Sequence, residues 1–428
     1  MKKLYMLLAA VLLMVITGCG GGGGGGGSTP VSLSSTKVIT GFSLNDCFGM
    51  IDEAGKTIAV TMPLGTDVTT LVATFYTTGA SVKVGSTVQT SGSITSNFST
   101  TSQVTYTVTA ADATTQDYTV TVTVSSSSSG FLDTGFGATG TGGKITTAIG
   151  SSDDVAHALG IQSNGSIVVA GSSYNGSNYD FALVRYTKDG IIDTTFGTAG
   201  TGKVTTAIGS GDAAAYALVI QKSVDTILVA GYFYNSNDSN YYFALVKYTK
   251  DGIPDTTFGT GGIVTKLIGN TDAQAHALGV QSDGSIVVAG SSYDSTNSKY
   301  DFALLRYTKA GILDTGFGTA GIVTTSIGIG GNYDFAYALG IQSGDKILAA
   351  GFSNNGGNYD FALVIYTKDG IPDTTFGTGG IVTTPIGSSD DNAYALGIQS
   401  NGTSFKIVVA GSSYNGSNYD FALARYLP

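Results

Sequence analysis

Tryptophan is absent from this chain, cysteine occurs twice, and glutamate once, at Glu53. Each scarcity excludes something. Without indole rings the strongest stacking platform for a sugar is missing. Cys19 and Cys47 cannot build an intrachain disulfide framework if Cys19 serves an N-terminal processing site. The acids are nearly all aspartate, a turn and loop residue, and helix formers are scarce beyond the first twenty positions. Charge is sparse and one-sided: 20 basic against 30 acidic residues, a net −10 that becomes −12 once a leader with Lys2 and Lys3 is removed. An acidic surface with no basic stripe repels phosphate backbones, which excludes nucleic acid as a partner. What is abundant is glycine, 63 residues, with threonine, serine, valine and tyrosine, the composition of strands and tight turns. A length of 428 residues gives room for two or three domains. The expectation is an all-β protein.

Residues 1–18 read as a secretory leader, with Lys2 and Lys3 ahead of an apolar run from Leu4 to Ile16. That run is too short for a permanent transmembrane helix. Ile16-Thr17-Gly18-Cys19 resembles the lipobox of bacterial lipoproteins. The resemblance implies lipidation of Cys19 and a membrane partner through that anchor. Gly20 follows where an aspartate would hold the protein back, which implies the outer membrane or cell surface. Residues 19–36 are a Gly/Ser-rich tether, and the unbroken glycines 20–27 have no side chains to bury. In 37–124 apolar residues alternate with threonine, as in Val104–Val108 and Tyr118–Val124, the mark of strands buried on one face. The stretches ITGFSL, TIAVTMPLGTDVTTLVATF and YTVTAADATTQDYTVTVTV resemble a bacterial immunoglobulin-like β-sandwich. Cys47 lies there between expected strands and is expected to be a structural or incidental thiol. Residues 125–130 form a serine-rich linker.

From 131 to 428 the chain repeats itself. DFALVRYTKDGIIDTTFG (Asp180–Gly197) returns at Tyr242–Gly259, Asp301–Gly318 and Asp360–Gly377. Its tail alone stands at Phe131–Gly137 and its head alone at Asp420–Tyr426. The aspartates of the phrase, Asp133, Asp193, Asp255, Asp314 and Asp373, are spaced 60, 62, 59 and 59, a period that accommodates four short strands. These phrases, with DGSIVVAG, resemble the delta-60 repeat, a Kelch-like β-propeller repeat. The resemblance implies a propeller and supplies no activity or catalytic residue. The first unit begins at its fourth strand, 144–149, and the last stops after its third, so pairing the two ends would close a ring of five blades and remove exposed edges. An open solenoid is the alternative.

Two loop sets share one face on this reading. The loops before each first strand carry Asp153, Asp154, Asp212, Asp272, Asp334, Asp390 and Asp391. The loops between second and third strands carry Tyr174, Tyr179, Tyr234, Tyr241, Tyr293, Tyr300, Tyr359, Tyr414 and Tyr419, with Tyr232 and several asparagines. A ring of carboxylates could hold Ca²⁺ or a cationic group, with tyrosines around it for a glycan or an envelope protein. The plainer reading is that each aspartate caps its own turn. No EF-hand spacing is present, and no other cofactor is expected. In the constant phrase, Phe196 is expected to plug a contact between blades. Arg185, Lys247, Arg306 and Arg425 are expected to pair with the turn aspartate; Ile365 takes that position in one unit.

Three enzyme-like signals fail. His157 and His276 share a repeat position with Tyr216, Tyr337 and Tyr394, which reads as packing. Gly197–Lys203 spells GxxxxGK, but Val204 stands where a P-loop needs serine or threonine. No serine has a base placed beside it in the sequence pattern. The expectation is a lipid-anchored, non-catalytic binding module, with a structural adhesion scaffold or a surface enzyme as alternatives. Oligomeric state is left open.

Overall fold

The computed structural model describes residues 33–427, apart from 46, 100–102, 126–131, 139–141, 270, 329–332 and 401–404. The leader, Cys19, the glycine run and most of the serine linker lie outside the described residues. The chain divides into two units, Met1–Phe131 and Leu132–Pro428. All regular structure among the described residues is β.

The first unit has nine strands: Ile39–Leu44, Cys47–Asp52, Thr57–Met62, Leu71–Thr77, Ser81–Val84, Thr87–Val88, Thr95–Ser96, Gln103–Thr109 and Thr115–Val124. Numbered in that order, they pair as 6-5-8-9-3-2-1-4-7, antiparallel except for the third beside the ninth. The period-two pattern sets the burial: Ile58, Val60 and Met62 point in while Thr57, Ala59 and Thr61 point out. The sheet folds over one core. Phe42 of the first strand meets Tyr106 of the eighth at 5.1 Å, edge to face, although three strands separate them in the sheet. Tyr106 is fully buried, and its hydroxyl is shared with Ser96 at 2.8 Å. Cys47 packs at the margin of this core.

The second unit is a β-propeller of five sheets. The first blade is Asp154–Ile161, Ile167–Tyr174, Tyr179–Tyr186 and Lys203–Thr206. The second is Ala213–Gln221, Thr226–Asn235, Asn240–Tyr248 and Ile263–Lys266. The third is Ala273–Val280, Ile286–Asp294, Lys299–Tyr307 and Ile322–Thr325. The fourth is Asp334–Ile341, Ile347–Asn354, Tyr359–Tyr366 and Ile381–Thr384. The fifth has three strands, Asp391–Ser400, Phe405–Tyr414 and Tyr419–Tyr426. Every sheet is an antiparallel meander in sequence order. In blades two to four the middle strands are apolar on both sides because each of these blades is sandwiched between neighbours. Val168, Ala170, Phe181 and Leu183 of the first blade form one cluster with Ile227, Val229, Val246 and Tyr248 of the second.

The repeated phrase joins blades. Phe196 is fully buried, and its ring occupies the space a side chain on Gly252 of the next blade would need, with ring carbons at 2.5–2.7 Å from a Cβ built there. Phe258 stands likewise at Gly311, and Phe317 at Gly370. Above the plug Arg185 pairs with Asp193 at 2.9 Å, its guanidinium 4.8 Å from the Phe196 ring centre. Lys247 pairs with Asp255 at 3.0 Å and Arg306 with Asp314 at 2.8 Å. Where Ile365 replaces the cation, Lys346 reaches Asp373 at 2.6 Å from the turn before Ile347–Asn354. A buried hydroxyl pair ties outer strand to next blade: Tyr248 donates to Thr206 at 2.7 Å, and Tyr366 and Thr325 share a bond of the same length.

The expected closing strand differs. Residues 144–149 form no strand, and the fifth sheet ends on Tyr419–Tyr426. The segment instead holds its station against the first blade, where the Tyr186 hydroxyl meets Thr147 at 2.6 Å, the same tie that Tyr248 makes to Thr206.

Candidate functional site

First strands of neighbouring blades touch one another, and the fourth strands lie at the far side of each sheet, so the first strands are innermost. Each first strand carries one β-bulge at the same repeat position, with register shifts at Ala156/Ala158, Ala215/Ala217, Ala275/Ala277, Ala336/Ala338 and Ala393/Ala395. The extra residues are His157, Tyr216, His276, Tyr337 and Tyr394. A bulge re-aims a side chain out of the pleat. It needs room opposite, and the glycine of VVAG or its equivalent supplies it. A Cβ on Gly171, Gly231, Gly290, Gly351 or Gly411 would fall 1.8–1.9 Å from a carbonyl oxygen of the bulged strand. These glycines are therefore fixed by close backbone approach.

The five bulged residues meet in sequence along the inner strands. Ring centres are 4.5 Å apart for His157–Tyr216, 5.2 Å for Tyr216–His276, 4.6 Å for His276–Tyr337 and 5.5 Å for Tyr337–Tyr394. His157 and Tyr394 are exposed and the three between them are partly buried. Burial pushes the His276 pKa down to about 4 and lowers that of His157, so both imidazoles are neutral near pH 7.

Aromatic contacts run from this row to the rim. In the second blade Tyr216 lies 5.6 Å from Tyr232, which lies 5.2 Å from Tyr241, itself 5.1 Å from Tyr234. In the fourth, Tyr337 touches Phe352 at 5.3 Å, and Phe352 touches Tyr359 at 5.0 Å. Tyr300 connects through Phe335 to Tyr337 and pairs with Tyr293 at 5.2 Å. Tyr174–Tyr179 and Tyr414–Tyr419 are cross-strand pairs at 5.2 and 5.1 Å, at the rim of the first and fifth blades. Burial, then nearby Asp272 and Asp212, raise the Tyr241 pKa; burial and Asp272 raise that of Tyr300. Neutral hydroxyls and apolar ring faces thus lie along the inner strands beside carboxylates.

The seven aspartates fall into two sets. Asp153, Asp212, Asp272 and Asp390 share one repeat position, with Tyr333 in the fourth blade; the carbonyl there accepts from residues 174, 234, 293, 354 and 414. The side chains of Asp212, Asp272 and Asp390 accept from the amides of Tyr179, Tyr241 and Tyr359 of the preceding blade at 2.9, 2.9 and 3.1 Å. These aspartates clasp adjoining blades. Asp154, Asp334 and Asp391 fold back on their own loops, accepting from Ile149, Ile327 and Ile386 at 2.7–2.8 Å. Among the described residues no group of three or more His, Cys, Asp or Glu side chains is placed to share a metal ion. The structure does not bring the expected calcium ring together, and six of the seven carboxylates accept from backbone amides instead. The rim tyrosines it does connect. The inner row of His157, Tyr216, His276, Tyr337 and Tyr394 was missed as a site because alternating histidine and tyrosine read as packing. The signal that could have found it is that the position is aromatic in every unit and stands one hairpin ahead of the glycine of the next strand, whatever the length of that hairpin.

Comparison with known proteins follows the two units. A family model described as "SGBP, N-terminal" matches residues 39–122. A second, "Domain of unknown function (DUF5122) beta-propeller", matches 162–196, 225–258, 281–317, 342–376 and 406–428. No curated protein matches the chain. Among solved structures, the chain is similar to a GH43 endo-arabinanase from Bacillus licheniformis at 12% identity and a TM-score of 0.31, over 65% of this chain and 96% of that one. An endo-arabinase from Bacteroides thetaiotaomicron is similar at 10% and 0.34, over 63% and 92%. An N-acetylgalactosamine deacetylase from F. plautii, in complex with blood group B trisaccharide, gives 10% and 0.34, over 63% and 83%. This likeness concerns fold alone. The expectation of a non-catalytic module that is no enzyme is corrected: the solved structures this chain is similar to are named for glycan cleavage and deacetylation.

Proposed function

We propose that the chain is a glycan-handling protein of the cell surface whose propeller channel seats a saccharide. The observation that supports it is the unbroken row of inner aromatic residues, continued to the rim by tyrosines. Sugar rings present C–H faces to aromatic planes and hydroxyls to phenols and amides, and this lining offers both. A net charge of −10 favours a neutral polymer over a polyanionic one. The match of 39–122 to an N-terminal domain of surface glycan-binding proteins supports both the address and the ligand class. In this reading Cys19 carries the lipid, and the tether and first unit follow it in the chain ahead of the propeller. Cys19→Ala is expected to abolish incorporation of labelled fatty acid and to release the protein from membranes; undiminished labelling would refute the anchor.

The test of the ligand is affinity electrophoresis of the protein in gels containing arabinan, galactan or xyloglucan, with reducing-end release measured on the same polymers. Retardation by at least one neutral polymer is expected, and release identifies whether that polymer is also cleaved. Mobility and polymer unchanged across a broad neutral panel would overturn the reading.

A further inference from the structure

We infer that the outer flank of the third blade is a second ligand site, a polar groove that takes one unit of a neutral sugar independently of the channel. An outer groove recurs from blade to blade. On the second blade it measures about 520 Å³, with Ile208, Gly259, Ile263 and Gly311 among its walls. On the third blade the homologous Ile268, Gly318, Ile322 and Gly370 bound about 780 Å³. Other units satisfy or remove their polar groups on this flank. In the first and fourth blades, Asp154 and Asp334 at the start of the inner strand accept from Ser173 and Ser353. One strand further out, Asp180 and Asp360 accept from Asn175 and Asn355 at 2.8 and 2.9 Å. In the second blade Ala213, Phe233 and Tyr242 stand at these positions, and the two rings pack with centres 5.0 Å apart.

The third blade does neither. Ala273 gives Ser292 no carboxylate to bond, while Asp301 is kept and the asparagines that hold its counterparts are replaced by Asp294 and Lys299. Asp301 is 8% exposed and lines the groove with Ser292, yet its Oδ1 accepts no hydrogen bond. Lys299 Nζ lies 3.4 Å from that oxygen and donates to Ser326 instead. Burial raises the Asp301 pKa against the pull of Lys299, as expected of a carboxylate short of donors. A buried acceptor left open at the wall of a cavity is suited to a donor from outside the protein. The ammonium beside it offsets the carboxylate charge, which favours a neutral donor over an ion. A sugar ring offers vicinal hydroxyls to Asp301 and a C–H face to the aliphatic wall of Ile268, Ile322 and Ile371. The ligand class rests on the glycan reading of the channel; the site rests on Asp301 and the groove.

The test is saturation-transfer NMR with the methyl glycosides of arabinose, galactose, xylose and glucose, on the full-length chain with Cys19→Ser. Three further variants are compared with it. The first carries Ser292→Phe, Lys299→Asn and Asp301→Tyr, which gives the third blade the residues that fill the same flank of the second. Another carries Tyr216→Ala and Tyr394→Ala in the channel, and the last combines both sets. Transfer to at least one glycoside is expected to weaken but persist in each partial set and to vanish in the combination. Loss with the channel pair alone, and none with the groove triple, would overturn the groove and leave the channel standing. Loss with the groove triple alone would support the groove and count against the channel. Transfer absent from the starting protein, or unchanged in every variant, would overturn both. Should the triple not fold, Asp301→Asn keeps the shape of the site. In the channel variant it is expected to weaken glycoside affinity about tenfold, and unchanged affinity would overturn the groove.

Discussion

At the scale of single residues, the channel depends on a histidine or tyrosine aimed inward and a glycine that permits it. His276 is neutral in the fold, with its pKa near 4 against an ordinary value near 6.5. Between those values the unfolded chain binds a proton the folded one does not, so stability falls as pH drops from 6.5 to 4 and levels off below. His276→Tyr, the residue found there in three other blades, is expected to remove on the order of 2 kcal/mol of that pH dependence. Melting curves between pH 7 and 4.5 read it, and identical slopes in both proteins would contradict the assignment. Gly290→Ala places a Cβ 1.9 Å from the Gln274 carbonyl and forces the bulge to shift. The expected loss is about 1–3 kcal/mol in urea unfolding, with weaker glycan retention; a neutral substitution would show that the bulge is not held by this contact.

At the scale of elements, what binds blade to blade is the repeated phrase. Arg306 is nearly buried, pairs with Asp314, and donates to the Lys368 carbonyl of the next blade at 2.5 Å. Arg306→Met leaves a half-buried carboxylate without its cation and a Lys368 carbonyl served by Gln281 alone, an expected cost of about 2–4 kcal/mol. Lys188→Ala removes a pair whose side chains are 68% and 63% exposed, and is expected to change stability by less than about 0.5 kcal/mol. Equal effects, measured by urea unfolding, would count against the phrase as a blade joint. This division was legible in the sequence. The plug at Phe196, the cation at Arg185, Lys247 and Arg306, and the exception at Ile365 all show as repetition with one departure. The inner row was legible as one repeat position but not as a lining, because a bulge has no composition of its own and the mix of histidine and tyrosine reads as packing. The aspartates were legible as loop residues, but repetition does not distinguish a carboxylate that clasps a neighbouring blade from one that faces an ion.

At the scale of the molecule, blade count and strand order were written in the spacing of Asp133, Asp193, Asp255, Asp314 and Asp373. The expected closing strand was assigned to the right residues, and 144–149 does stand against the first blade, but its pairing with the fifth sheet is not formed. Activity was the least legible level, since a propeller displays loops and channel linings that the repeat itself does not specify. The account therefore rests on the channel. Its most direct test is titration calorimetry with an oligosaccharide of whichever polymer retards the protein, comparing wild type with Tyr216→Ala and Tyr394→Ala. The prediction is a loss of about tenfold in affinity for each variant, equivalent to roughly 1.4 kcal/mol per ring, with the fold intact by circular dichroism. Unchanged affinity in both folded variants would place the saccharide elsewhere and contradict the account.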